Sequence, residues 1–146
     1  MERRDLVLAL GLAAASGAAT QAAAQGAGAG PAASMHPAKY KALVEATAKC
    51  VGTGKDCLRH CFGMLAMNDT SMSGCADSAY QVVAACDALQ SLAAVNSTHV
   101  PPLARAVADI CVSCQRECEK FPNVAECKAC GDACRACAEE CRRAAG

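Results

Sequence analysis

Residues 127–141 read CKACGDACRACAEEC, with cysteines at Cys127, Cys130, Cys134, Cys137 and Cys141. The steps between these cysteines alternate between three and four residues, which is the spacing of positions that share one face of an α-helix. The stretch therefore predicts a helix whose buried face is built from thiols, where a helix of an ordinary bundle carries leucine or isoleucine.

The same helical spacing recurs upstream of this stretch, from Pro37 onward. Glycines at positions 52 and 54 interrupt the first of the upstream stripes, but the phase continues across them, so we expect a single helix there. The three upstream stripes are Leu43, Cys50, Cys57, Cys61 and Met64; Cys75, Ala79, Val82, Cys86, Leu89 and Ala93; and Leu103, Val107, Cys111, Cys114 and Cys118, ending near Phe121.

Polar and proline-containing segments separate the four stripes. Residues 68–71 (NDTS) lie between the first and the second, residues 96–98 with Pro101 and Pro102 open the third, and residues 122–123 with Glu126 predict the start of the fourth. Short connections make successive helices antiparallel, and no segment alternates apolar and polar residues as a strand does. We therefore predict an all-α fold, an antiparallel four-helix bundle with a cysteine-lined core.

The composition narrows the possible function classes. The 146-residue chain carries 13 cysteines, no tryptophan, and 14 basic against 14 acidic side chains. This length suggests one domain. The balanced charge gives no field that would hold a nucleic acid or an anionic membrane surface, so we expect neither partner. The sequence shows no serine–histidine–aspartate arrangement and no phosphate-binding loop, and we predict that the protein is not an enzyme.

The first 24 residues have the features of an export signal. Arg3 and Arg4 are followed by the apolar residues 6–12 and by the small residues 22–24 before Gln25. The apolar run is shorter than the roughly 20 residues of a membrane span. The paired arginines resemble a twin-arginine signal, and a general secretory signal stays open as the alternative. We expect export to the periplasm or another extracytoplasmic compartment, a flexible leader at 25–36 and the bundle at 37–146.

So many inward-facing thiols have three possible explanations. Free cysteine packs as a small hydrophobe, but a leucine core would bury more apolar surface, at about 25 cal/mol per Å². Disulfides form outside the cytoplasm. The odd number of cysteines and the five thiols on one helical face count against a disulfide-braced secreted module, which stays open as an alternative. Metal binding best explains rows of thiols that point the same way.

The charge of the ion separates the candidate metals. Zinc in a four-thiolate site leaves about two negative charges in a dry core, which is unfavourable. A soft monovalent ion bound at one per thiolate cancels the charge, and Cu(I) prefers thiolate and thioether ligands. The spacing from Cys127 to Cys141 does not match a ferredoxin run. We therefore predict Cu(I), with a zinc or mixed-metal, thionein-like protein as the alternative.

In the number and phase of its cysteines, the chain resembles the bacterial copper storage proteins, and closely their exported, 13-cysteine form. The resemblance covers the whole chain after the predicted signal. It implies a homotetramer that holds many Cu(I) ions, about one per cysteine, for buffering and for later supply to a copper-requiring recipient protein. The predicted thiolate ligands are Cys50, Cys57, Cys61, Cys75, Cys86, Cys111, Cys114, Cys118, Cys127, Cys130, Cys134, Cys137 and Cys141.

Softer neutral ligands lie near one end of the predicted bundle. His60, Met64 and Met67 lie on the last turns of the first helix, and Met72 lies just before the second. The family resemblance implies a mouth at which copper enters and leaves through such residues. Methionine at helical spacing is also a common core residue, so packing is the alternative role for Met64 and Met67.

Overall fold

The computed structural model describes residues 34–146 of the chain. The predicted export signal, residues 1–24, and residues 25–33 of the predicted leader lie outside the described residues. Four helices follow in order: α1 at Lys41–Ala66, α2 at Ser73–Ala94, α3 at Val100–Cys118 and α4 at Ala125–Ala145. No strand is present within residues 34–146. The predicted all-α four-helix bundle is confirmed.

Short connections make consecutive helices antiparallel, and each helix packs against two neighbours. α1 lies against α2 and α4, and α3 lies against the same two helices. The end of α1 therefore lies at the same end of the bundle as the starts of α2 and α4 and the end of α3. Every inward stripe faces one shared core.

Helices α1 and α2 end in the same way. Asn68 and Asn96 adopt left-handed φ values of 61° and 55°. The N–H groups of Asn68 and Asp69 donate to the carbonyls of Leu65 and Met64, and the corresponding pair of bonds follows α2. This is the Schellman arrangement, in which asparagine tolerates the left-handed position that satisfies the last carbonyls of a helix.

Glycine allows close approach between α1 and α2. A Cβ atom added to Gly54 would lie 2.7 Å from Cγ2 of Val83 on α2. The interruption seen in the first stripe therefore does not break α1, which is continuous from Lys41 to Ala66. The glycine instead brings α2 close to α1, beside the thiols of the core.

Two local predictions differ from the structure. The buried stripe of α3 begins with Val100 and Ala104, whereas Leu103 is only partly buried. Leu103 lies about 100° around the helix from Ala104, so it falls on the flank of the stripe. Helix α4 begins at Ala125 after the extended residue Val124, and no side chain caps its first turn, so the capping signal at residues 122–123 was wrong.

Candidate metal centre

All thirteen cysteines lie in the core of the bundle. Each is a free thiol, and none exposes more than 2% of its surface. The alternating steps of three and four residues keep the thiols of each helix on its inward face. Helix α1 contributes three, α2 two, α3 three and α4 five.

The sulfur atoms of neighbouring helices lie in contact. The shortest Sγ–Sγ distance is 3.5 Å, between Cys57 and Cys75. The other contacts are Cys50–Cys134 at 3.6 Å; Cys57–Cys127, Cys75–Cys127, Cys86–Cys111, Cys86–Cys137 and Cys114–Cys130 at 3.8 Å; and Cys75–Cys118 and Cys137–Cys141 at 3.9 Å. These distances are far longer than a disulfide bond of about 2.05 Å.

The sulfurs also form compact groups, in each of which all Sγ atoms lie within 4.8 Å of one another. One group has four members, one from each helix, and is called the tetrad here: Cys50, Cys86, Cys111 and Cys137. Three groups have three members: Cys57, Cys61 and Cys75; Cys57, Cys118 and Cys130; and Cys114, Cys130 and Cys134. Groups and contacts together connect all thirteen sulfurs without a break.

In the core that the structure describes, no buried polar side chain is free to compete with the sulfur atoms for a cation. The buried polar side chains among residues 34–146 are Thr47 and Ser78. The hydroxyl of Thr47 donates to the carbonyl of Leu43, and that of Ser78 donates to the carbonyl of Cys75. Both hydroxyls are therefore occupied by their own helices. A cation in this core would meet soft sulfur ligands and no buried carboxylate.

Burial and crowding raise the pKa of most of the thiols. The pKa of Cys61 is raised by loss of solvation, and then by the negative charge of Cys57 and Cys75 when these ionise. The pKa of Cys127 is raised by the same causes. A thiol of this kind stays protonated and neutral near pH 7, so a metal ion must displace its proton in order to bind.

Four thiols have the opposite shift. Hydrogen bonds from the thiols of Cys111 and Cys134 lower the pKa of Cys50 to about 5. The pKa values of Cys57, Cys114 and Cys137 are lowered by the same kind of contact, because a neighbouring S–H group that donates to a thiolate stabilises it. Each of the four thiol groups contains at least one of these residues. Each group therefore includes a sulfur whose neighbours favour its thiolate form.

The structure separates the four predicted mouth residues. Met72 is 2% exposed and packs in the core beside the start of α2, whereas Met67 is 68% exposed. Met64 is partly buried and packs against the core. His60 is 28% exposed in its side chain, with Nδ1 4.0 Å from Oε2 of Glu126.

The contact of His60 with Glu126 joins α1 to the first turn of α4. A guanidinium nitrogen of Arg59 lies 3.7 Å from the same carboxylate. The sequence had marked Glu126 only as part of a helix start. Spacing along the chain holds no signal for a contact between two helices that lie far apart in sequence.

Within residues 34–146, no helix combines the length and the hydropathy that a membrane span requires. A search of curated proteins finds no match to the chain. The family model of the copper storage proteins matches residues 36–146, a range that includes the four helices and all thirteen cysteines. Since this match covers well over half of the chain, the protein belongs to the copper storage protein family, a family of storage proteins rather than of enzymes.

Proposed function

We propose that the protein stores copper as Cu(I), about one ion per cysteine, through thiolates that line the core of its bundle, for buffering and later supply. The single observation that carries the proposal is the unbroken network of thirteen buried sulfurs. A catalytic site needs a few positioned groups beside a substrate cavity, whereas a store needs many equivalent ligands. The sulfur network supplies many equivalent ligands, as a store requires.

The sulfur spacing fits soft metal ions. For a metal–sulfur bond of about 2.3 Å, two sulfurs on one ion lie about 3.8 Å apart in a tetrahedron and about 4.6 Å apart in a linear arrangement. The observed contacts of 3.5–3.9 Å and groups within 4.8 Å span this range. Binding therefore needs only small side-chain adjustments.

Charge balance favours a monovalent ion for filling the whole network. Each Cu(I) ion that replaces one thiol proton leaves the core neutral. Many tetrahedral zinc sites would need many four-thiolate groups, but among residues 34–146 one of the four groups has four members and three have three. A thionein-like zinc protein therefore has less support than a copper store. The free thiols likewise favour metal binding over a disulfide-braced module.

Copper exchange is assigned to the end of the bundle where α1 stops and α2 starts. Met72 lies three residues before Cys75, and Met64 lies three residues after Cys61, so thioethers extend the thiol network towards this end. We assign to the partly exposed His60 and the largely exposed Met67 a first capture of the ion at the surface. Thioether and imidazole are neutral ligands that bind Cu(I) without a proton loss.

The remaining proposals concern the export, the oligomeric state and the partner protein of the chain. Arg3 and Arg4 support export by the twin-arginine route, and replacing both with lysine should stop that route while leaving general secretion intact. The family resemblance supports a homotetramer and transfer to a copper-requiring recipient protein. Sedimentation of the mature chain tests the first of these two, because a monomer would contradict it.

Anaerobic titration of the reduced mature protein with Cu(I) tests the storage proposal. Saturation near 13 ions per chain, one for each cysteine, is expected. The matched control is the same protein after alkylation of its thiols, which should bind almost no copper. Saturation at one or two ions would contradict storage. Saturation by zinc at about a quarter of the thiol number, with little copper bound, would favour the thionein-like alternative.

A further inference from the structure

The tetrad differs from the other thiol groups in composition. It takes one ligand from each of the four helices, and all of its members are fully buried. The other groups have three members each, so they lack a fourth sulfur for a tetrahedral ion. Among the groups within residues 34–146, the tetrad is therefore the one with enough sulfurs to complete a tetrahedral coordination shell.

The geometry of the tetrad matches tetrahedral coordination. Bonds of about 2.3 Å from zinc to sulfur place neighbouring sulfurs of a regular tetrahedron about 3.8 Å apart. The Sγ atom of Cys86 lies 3.8 Å from that of Cys111 and 3.8 Å from that of Cys137. All pairs lie within 4.8 Å, so the longest edge must shorten by no more than about 1 Å.

Two further thiols lie where they reduce the charge problem of a four-thiolate site. Cys134 lies 3.6 Å from Cys50, and Cys141 lies 3.9 Å from Cys137. As neutral S–H groups, they can donate to two of the ligating thiolates and spread part of the excess negative charge. Such outer hydrogen bonds are the usual support of a metal ligand.

From this geometry we infer that in the copper-free chain the tetrad binds one divalent cation of tetrahedral preference, with Zn²⁺ as the chemical class, through four of the thiols that copper storage would also use. Binding forms four metal–sulfur bonds, and each tetrad thiol that is still protonated loses its S–H proton to solvent, with no change of oxidation state. The ion joins all four helices at one point. The inference goes beyond copper storage and does not depend on it.

Titration of the reduced, metal-free mature chain with Co²⁺ tests the site, because tetrahedral thiolate-bound Co²⁺ has intense visible ligand-field bands. Saturation at one Co²⁺ per chain with such bands, and their loss on adding Zn²⁺, are expected. Weak octahedral bands, or several Co²⁺ ions of similar affinity, would overturn the inference.

Two ligand variants and one matched control locate the site. Cys86→Ala and Cys111→Ala each remove a tetrad member, whereas Cys127→Ala removes an equally buried thiol that lies outside the tetrad. Since losing an outer-shell partner alone weakens metal binding about 10–100-fold, losing a ligand should weaken Co²⁺ binding at least about 100-fold. Circular dichroism identifies any variant that fails to fold. Equal weakening in Cys127→Ala would overturn the assignment.

Cu(I) capacity measured on the same preparations distinguishes this inference from the storage proposal. A chain that takes about one Cu(I) per cysteine but gives no tetrahedral Co²⁺ spectrum would overturn the tetrad site alone. A chain that binds one Co²⁺ in the tetrad but only one or two Cu(I) ions would support the tetrad site and contradict storage.

Discussion

The two ends of the bundle core bury side chains of different chemistry. The thiol end, where α1 and α3 stop and α2 and α4 start, consists of Cys57, Cys61, Met72, Cys75, Cys118 and Cys127. The hydrocarbon end, on the opposite side of the tetrad, is built mainly from Leu43, Leu89, Ala93, Val100, Ala104 and Val107, and Cys141 is the buried thiol that reaches into it. Both ends are equally dry, so the difference lies in what the buried side chains can do.

This difference in side-chain chemistry means that one end of the bundle contributes packing energy and the other contributes potential metal ligands. Burying a leucine or valine side chain contributes about 1.5–3 kcal/mol, so the hydrocarbon end holds the helices together whether or not metal is bound. Thiols bury less apolar surface, but each offers a ligand once its proton is lost. The thiol end therefore gives up packing energy for binding capacity, and its stability should depend on pH and on copper.

Alkaline pH should produce the largest effect, and it should act through the thiols. The pKa is raised from the ordinary value of 9.0 at nine positions: Cys61, Cys75, Cys86, Cys111, Cys118, Cys127, Cys130, Cys134 and Cys141. Above pH 9.0 the unfolded chain loses protons that the folded apo protein keeps. Each such thiol then lowers the free energy of unfolding by up to about 1.4 kcal/mol per pH unit.

The thiols of lowered pKa do not cancel this loss. Cys50, with a pKa of about 5, adds stability as the pH rises from about 5 to 9.0, and above that value it is ionised in both states. Urea unfolding of the apo protein at about pH 8 and about pH 10 measures the effect. Copper-loaded protein is the control, since its thiolates have no protons left to lose. An apo protein of equal stability at both pH values would contradict the prediction.

Truncation at the hydrocarbon end should have the next largest effect. Leu89 is fully buried there, and Leu89→Ala should reduce the free energy of unfolding by about 2–5 kcal/mol, through lost burial and the cavity left behind. Its copper capacity at temperatures where the variant is folded should be unchanged. Leu103→Ala is the matched control, because Leu103 lies at the same end but is only partly buried. If Leu89→Ala and Leu103→Ala lowered the free energy of unfolding equally, the predicted difference between the buried stripe and its partly buried flank would be wrong.

Helical periodicity predicted which side chains each helix buries in the core. The steps from Cys127 to Cys141 placed five thiols on one face of α4, and all five are buried. Leu103 was assigned to the α3 stripe because it precedes Val107 by four residues. The alternation of four- and three-residue steps, continued back from Cys118 through Cys111 and Val107, instead selects the small residue Ala104.

Contacts between helices could not be predicted in this way. Which thiols form the tetrad depends on how far each helix is shifted along its neighbour, and the loops and close approaches such as Gly54 against Val83 determine that shift. The mouth residues show the same limit. Met67 and Met72 both lie at helix ends, where periodicity stops, and only the path of the loop makes one exposed and the other buried.

The smallest effect is expected at the boundary between the thiol end and solvent. Met72→Leu keeps the volume of a buried side chain, so the stability should fall by less than about 1.5 kcal/mol. It removes a thioether from the proposed exchange route to Cys75 but leaves all thirteen thiols in place, so the Cu(I) capacity should stay the same. Removal of copper by an external chelator should slow by about two- to tenfold, up to about 1.4 kcal/mol in the barrier.

Stopped-flow transfer of Cu(I) to an excess of chelator measures this rate. Met35→Leu is the matched control, because Met35 is 88% exposed and precedes α1 on the side of the hydrocarbon end. A purely structural role for Met72 would change stability and leave the transfer rate as it is. Equal rates in the wild type, Met72→Leu and Met35→Leu would therefore remove Met72 from the proposed exchange route, and copper would then have to leave the thiol end through the partly exposed His60 side of the bundle.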